Sequence, residues 1–190
     1  MPIPTQGCVS LDPPGGCGEG TWGNIEELPG DVHLDVNYTG DDSDGSREKP
    51  WTLYGYAVGQ VQAGGRIVLA AGDYDQGMLV SKSISLVGRC SSMVTISGAR
   101  LGTFALTVVE VKGAVDVTIS DLTISGPGYG LIAHQGSNLE LSRVALKGNK
   151  QSGLVAVDSG TSVTVSDVWV SDTQLNGEGQ QGVGLSLIHI

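Results

Sequence analysis

Apolar and polar residues alternate through the second half of the chain, and the alternation recurs. The stretch Val117–Gly126 (VTISDLTISG) aligns with Leu139–Gly148 (LELSRVALKG) and with Val163–Asp172 (VTVSDVWVSD), at offsets of 22 and 24 residues. A second phase agrees: Gly130-Leu-Ile-Ala returns as Gly153-Leu-Val-Ala and again as Gly182-Val-Gly. Within a unit Val117, Ile119, Leu122 and Ile124 are apolar, whereas Thr118, Ser120, Thr123 and Ser125 are polar. Period two predicts a strand with one buried face. The slip of one residue at Ser120-Asp121 predicts a corner between two strands. A repeat in the twenties without helical spacing predicts a β-solenoid. One coil cannot bury its own apolar row, so successive coils stack at ~4.8 Å. Val117, Leu139 and Val163 are then expected in equivalent inward positions.

The first half follows the scheme less regularly. Strands are predicted over 66–70, 83–88, 93–97 and 104–111, the last interrupted by Thr107 and Glu110. One segment departs from it. Leu53, Tyr54, Ala57, Val58 and Val61 are spaced for an amphipathic helix of about three turns near 51–62, weakened by Gly55 and Gly59, with Pro50 in its first turn. A solenoid needs its first coil covered, and this helix is expected to be the cap.

Composition narrows the function. Gly numbers 30 of 190 residues, about twice the usual ~7%, which suits many tight turns. Hydrophobic residues make up 39%, mostly in short Val, Ile and Leu runs, which argues against disorder. Twenty acids against ten bases give a net charge of −10, which excludes a basic nucleic-acid footprint. No apolar run reaches the ~18 residues of a membrane span. The opening residues Met1–Cys8 lack a basic and apolar leader, and the expectation is that the sequence starts inside a longer gene. Leu185–Ile190 (LSLIHI) matches the translation of a transposon mosaic-end sequencing adapter. These six residues are therefore expected to be a read-through tail, and His189 is given no role.

Four segments together resemble the start of bacterial right-handed parallel β-helix proteins, the pectin-lyase-like superfamily. They are Val32–Ser46 (VHLDVNYTGDDSDGS), Pro50-Trp51, Gly65–Tyr74 (GRIVLAAGDY) and Lys82–Gly88 (KSISLVG). Arg66 stands where that pattern commonly has Asp, and Asp73 where it has Thr. The resemblance covers about residues 30 to 184. It implies an all-β, right-handed parallel β-helix with an N-terminal capping helix, in an exported protein that is secreted or held at the cell surface. Fold likeness alone does not transfer an activity.

Candidate chemistry is sparse. Asp121, Arg143 and Asp167 fall in one column, with neighbours ~5 Å apart by strand spacing. They read either as a carboxylate–guanidinium–carboxylate site or, more simply, as an exposed ladder of alternating charge. The columns Ser125, Lys147, Ser171 and Ser120, Ser142, Ser166 read as solvated faces. Asp41, Asp42 and Asp44 could offer oxygen ligands to Ca²⁺, but Gly40 and Trp51 occupy the places where an EF-hand needs carboxylates, and a plain Asp/Gly turn accounts for the same residues. His33 and His134 have no ligand at metal-binding spacing and are expected to be structural. Trp22 and Trp51 are expected to pack at the N-terminal end. Trp169 replaces Thr123 and Ala145 on the outward side and is the candidate for ligand contact.

Of the three cysteines, Cys17 with Cys90 would tie the N-terminal arm to an early coil, and Cys8 with Cys17 would close a small loop. The resemblance favours Cys17–Cys90, because a Cys before the first strand and a Gly-x-Cys like Gly88-Arg-Cys90 accompany the family pattern.

The expected organisation is an irregular arm over 1–30, a first strand and capping helix over 31–64, four or five coils over 65–184, and the tail 185–190. The expected function is a non-catalytic surface scaffold that binds polysaccharide or a cell-surface protein. One alternative is a polysaccharide lyase or glycoside hydrolase whose acid cluster lies on further coils; another is a passive stalk.

Overall fold

The computed structural model describes residues 10–103, 106–174 and 183–187. In chain order its elements are β1 (Val32–Leu34), α1 (Tyr54–Gln60), β2 (Arg66–Leu69), β3 (Gly72–Tyr74), β4 (Met78–Val80), β5 (Ile84–Gly88), β6 (Val94–Ile96), β7 (Arg100–Leu101), β8 (Leu106–Lys112), β9 (Asp116–Ile124), β10 (Tyr129–His134), β11 (Asn138–Lys147), β12 (Ser152–Ala156), β13 (Ser162–Ser171) and β14 (Val183–Leu187). One sheet runs β1-β2-β5-β9-β11-β13, with β3 and β6 beside it, and the other runs β14-β12-β10-β8-β4. Among the described residues every strand pairing is parallel except β7 with β8. The chain is a parallel β-helix.

The registers place Leu139 opposite both Val117 and Val163, as the repeat requires. A neighbouring column stacks Ile67, Leu86, Ile119, Leu141 and Val165. The first four are fully buried in one continuous core that runs from Val32 to Leu154. Stacking thus converts a narrow apolar row on each coil into a shared interior.

The phase slip is a corner. Asp121, Arg143 and Asp167 have φ of 59°, 52° and 52°, and the ladder skips them, passing from Ser142 opposite Ser120 to Val144 opposite Leu122. One left-handed residue turns the strand so that Ile119 and Leu122 both face inward. The first half of β9 stacks on β5 and the second half on β6. Gly88, which ends β5, lies under this corner, and a Cβ there would collide with the Asp121 carbonyl oxygen.

The cap is shorter than periodicity predicts. Helix α1 covers only Tyr54–Gln60, and Leu53 before it is extended, with no side-chain cap. Pro50 therefore lies outside the helix rather than in its first turn. Two glycines in seven residues and the missing cap explain the loss of a turn. The buried face is most of the predicted one: Tyr54, Ala57 and Val61 join Val32 and Leu34 in the core and Val58 packs against it, but Leu53, ahead of the helix, is exposed.

Two further expectations change. Ser152 pairs with Val183 and Leu154 with Leu185, so Gly184, not Gly182, stands opposite Gly153. A slip of two residues keeps the same face inward, and alternation alone cannot detect it. Leu185–Leu187 of the expected tail lie in β14, whereas 188–190 fall outside the described residues, as do Cys8 and Phe104. The short strands β3, β4 and β7 were not anticipated.

Candidate functional site

The coils and the arm together build a groove. The second half of the corner sheet presents outward residues at one position per coil: Thr95 stacks on Thr123, Thr123 on Ala145, and Ala145 on Trp169. Thr and Ala are small, so this floor is shallow until Trp169 rises from it with 56% of its surface exposed. Ser10, Leu11 and Asp12 of the arm, together with Ser91 and Ser92, wall the other side, and Lys147 stands beside the indole. The groove is open to solvent, with a volume of about 510 Å³.

The wall is fixed at three places. The Asp12 carboxylate accepts hydrogen bonds from Ser91 Oγ (3.0 Å), the Ser92 amide (3.1 Å) and Ser92 Oγ (2.8 Å). Partial burial pushes this carboxyl up, but the Ser92 and Ser91 hydrogen bonds outweigh it and hold the group below the usual carboxylate range. Cys17 is disulfide-bonded to Cys90, with a Cα–Cα distance of 5.7 Å. Arg89 donates to the carbonyls of Cys17 (3.2 Å) and Gly18 (2.6 Å). Thr123 Oγ1 donates to the Ser91 carbonyl at 2.6 Å, joining wall to floor.

The charged column lies on the corner and does not line the groove. Arg143 donates through Nε and Nη2 to the two Asp121 oxygens at 2.5 and 2.7 Å, in a fork that suits guanidinium and carboxylate. The hydrogen bond to Asp121, helped by the charges of Asp121 and Asp167, raises the Arg143 pKa against the opposing effect of burial. Asp167 is exposed, but Asp121 is only 7% exposed, so the ladder is not the fully solvated one expected. Ser120 is likewise buried rather than solvated. Both lie under the next coil, which sequence columns do not show.

No protein-family model and no curated protein matches the chain. Its chemistry is read from its own geometry.

The acidic loop has internal partners. Lys49 Nζ lies 2.7 Å from Asp42 Oδ2, Tyr38 donates its hydroxyl to Asp42 Oδ1 at 2.7 Å, and the Ser46 amide donates to Asp44 Oδ1 at 2.9 Å. Among the described residues Asp41, Asp42 and Asp44 do not converge on a shared point. The one group that does converge is Asp12, Cys17 and Cys90, where the sulfurs are joined to each other and carry no thiolate charge.

Trp22 is buried on Val68 and Ala70, donates Nε1 to the Arg47 carbonyl at 3.2 Å and meets the His33 ring edge-on at 4.7 Å. Trp51 stacks on Tyr56 at 5.2 Å. Burial lowers the His33 pKa against the pull of Asp31 and Glu27, so this side chain is a neutral packing element.

Sequence spacing missed one cluster. His134, fully buried, places Nε2 3.0 Å from Glu110 Oε1, and Nδ1 lies 3.9 Å from Asp158 Oδ2. Arg100 Nη1 reaches Glu110 Oε2 at 2.6 Å, and the Thr103 hydroxyl and amide reach Oε1 at 2.5 and 3.1 Å. Burial raises the Glu110 carboxyl, but the Thr103 and His134 contacts prevail and hold it below the usual range. The network joins adjacent coils and ties Arg100 of β7 to Glu110 of β8. Its one sequence signal is Glu110 itself, a charge within an otherwise apolar run.

Proposed function

We propose that this chain is part of an exported β-helix protein of the pectin-lyase-like kind and acts as a non-catalytic surface scaffold that binds carbohydrate in the groove at Trp169. The observation that carries the reading is the exposed indole, set above a floor of small residues and flanked by Asp12, Ser91, Ser92 and Lys147. An aromatic face beside convergent hydroxyl, carboxylate and ammonium groups suits a sugar ring, which offers an apolar face and a polar rim. The disulfide supports export, because such bonds persist in oxidising compartments. The acidic surface supports solubility and disfavours nucleic acid.

The test is a glycan array followed by calorimetry on any binder. Trp169→Ala is expected to weaken binding about tenfold or more, as loss of an aromatic anchor does. Affinity unchanged by Trp169→Ala overturns the assignment of the groove. Turnover of an acidic polysaccharide, with or without Ca²⁺, would replace the scaffold by a lyase or hydrolase. Silence toward glycans and cell-surface proteins alike would leave a stalk.

A further inference from the structure

We propose that the Cys17–Cys90 disulfide is a redox latch on the groove: reduction by a dithiol frees residues 10–16 and opens the floor at Thr95 and Thr123. The inference concerns regulation of the site proposed above and rests on that reading for its biological use, but not for its structural test.

The arm supplies one wall of the groove through Ser10, Leu11 and Asp12. Among the described residues from 10 to 16, Asp12 alone hydrogen-bonds to the coils, through Ser91 and Ser92. The remaining polar contacts of the segment stay within the arm: Asp12 N to Ser10 Oγ, Gly16 N to the Pro13 carbonyl, and Asn24 Nδ2 to the Gly16 carbonyl. The next attachments are the Cys17–Cys90 disulfide, immediately after the segment, and Arg89, which donates to the Cys17 and Gly18 carbonyls; Trp22 anchors the chain beyond them. Seven ordered residues held by one partly exposed carboxylate lose more conformational freedom than those bonds return, so the wall depends on its attachment at Cys17, where the disulfide is the covalent tie beside two Arg89 hydrogen bonds.

The two sulfurs are not equally reachable. Cys90 is fully buried, whereas Cys17 is partly exposed. A dithiol thiolate therefore attacks Cys17 Sγ, and the Cys90 sulfur leaves as a thiolate and takes up a proton. The second thiol then displaces Cys17 as a free thiol while the reductant closes to its own disulfide. Two electrons and two protons pass from reductant to protein. The Asp12 carboxylate lies within 4.8 Å of both sulfurs. Its charge repels an incoming thiolate and disfavours the departing one, which slows opening by weak monothiols.

The experiment is hydrogen exchange of the full chain at neutral pH, with and without dithiothreitol, read by mass spectrometry. Reduction is expected to speed exchange of the Ser92 amide, which donates to the Asp12 carboxylate of the arm, more than tenfold and to leave β9 and β11 unchanged. Cys17→Ser is expected to reproduce the reduced state; if that variant does not fold, reduction of the parent chain still decides. Unchanged protection of the Ser92 amide after complete reduction, verified by thiol alkylation, overturns the latch whether or not any glycan binds. Faster exchange of the Ser92 amide on reduction in a protein that binds no glycan keeps the latch and removes the binding reading.

Discussion

A carboxylate with almost no exposure persists at Glu110 because donors from three places converge on it: Arg100, Thr103 and His134. Lys112 stands opposite His134 in the ladder, and Asp158 approaches the far ring nitrogen. The depressed native pKa sets the direction of the pH effect. Stability from this group is complete above the ordinary glutamate value of 4.5 and drains away as pH falls below it toward the lower native value. Truncation leaves the Arg100 guanidinium without its carboxylate and the Thr103 and His134 hydrogen bonds unmade, so Glu110→Ala is expected to cost about 3 kcal/mol near neutrality. The same variant is expected to flatten the loss of stability between pH 5 and 3. Urea unfolding at both pH values checks it: an equal acid slope in parent and variant would place the acid sensitivity elsewhere.

The corner between the two halves of β9, β11 and β13 is the element that gives each coil its shape, and it is built from residues rarely found at positive φ. A left-handed conformation costs an ordinary L-residue about 1–2 kcal/mol, less for Asp, and nothing for Gly. Asp167 is exposed and holds φ 52°. Asp167→Gly is therefore expected to leave stability within about 0.5 kcal/mol of the parent or raise it slightly, whereas Asp167→Val is expected to lose about 1–2 kcal/mol. Chemical denaturation of the pair tests this, and equal midpoints would contradict the corner account. The corner was legible in sequence as a one-residue slip at Ser120-Asp121, because burial on both sides of it enforces strict alternation. The stacking of Val117, Leu139 and Val163 was legible for the same reason. Strands β3, β4 and β7 were not, since two or three residues with no alternating run around them, unlike β6 within 93–97, display no period. The groove was half legible. Trp169 stood out against Thr123 and Ala145 within its own column, but the wall opposite comes from residues some 150 positions earlier, brought there by Asp12 and Cys17. The Glu110–His134 pair was hidden because its members lie 24 residues apart and meet only when coils stack.

At the scale of the whole molecule a β-helix has two ends, and they differ here. At the first, Tyr54 and Ala57 of α1 and Val61 just after it are buried in the same cluster as Val32 and Leu34. At the other, β13 and β14 are the outermost strands of their sheets among the described residues. The consequence is visible in one column: Leu86, Ile119 and Leu141 are fully buried, but Val165, stacked directly on Leu141, is 50% exposed. An apolar side chain aligned with the core and a row of unpaired backbone groups form a template for another strand. In solution the chain is expected to associate reversibly as concentration rises, with the affinity supplied by backbone pairing along β13 and burial of Val165. Val165→Lys puts a charge into that contact and is expected to weaken association at least tenfold, while Leu141 below it stays covered and the fold is retained. Sedimentation velocity across a hundredfold range of concentration reads both. A parent chain that stays monomeric throughout would mean that the edge is already satisfied; association that survives Val165→Lys unchanged would move the contact to another face.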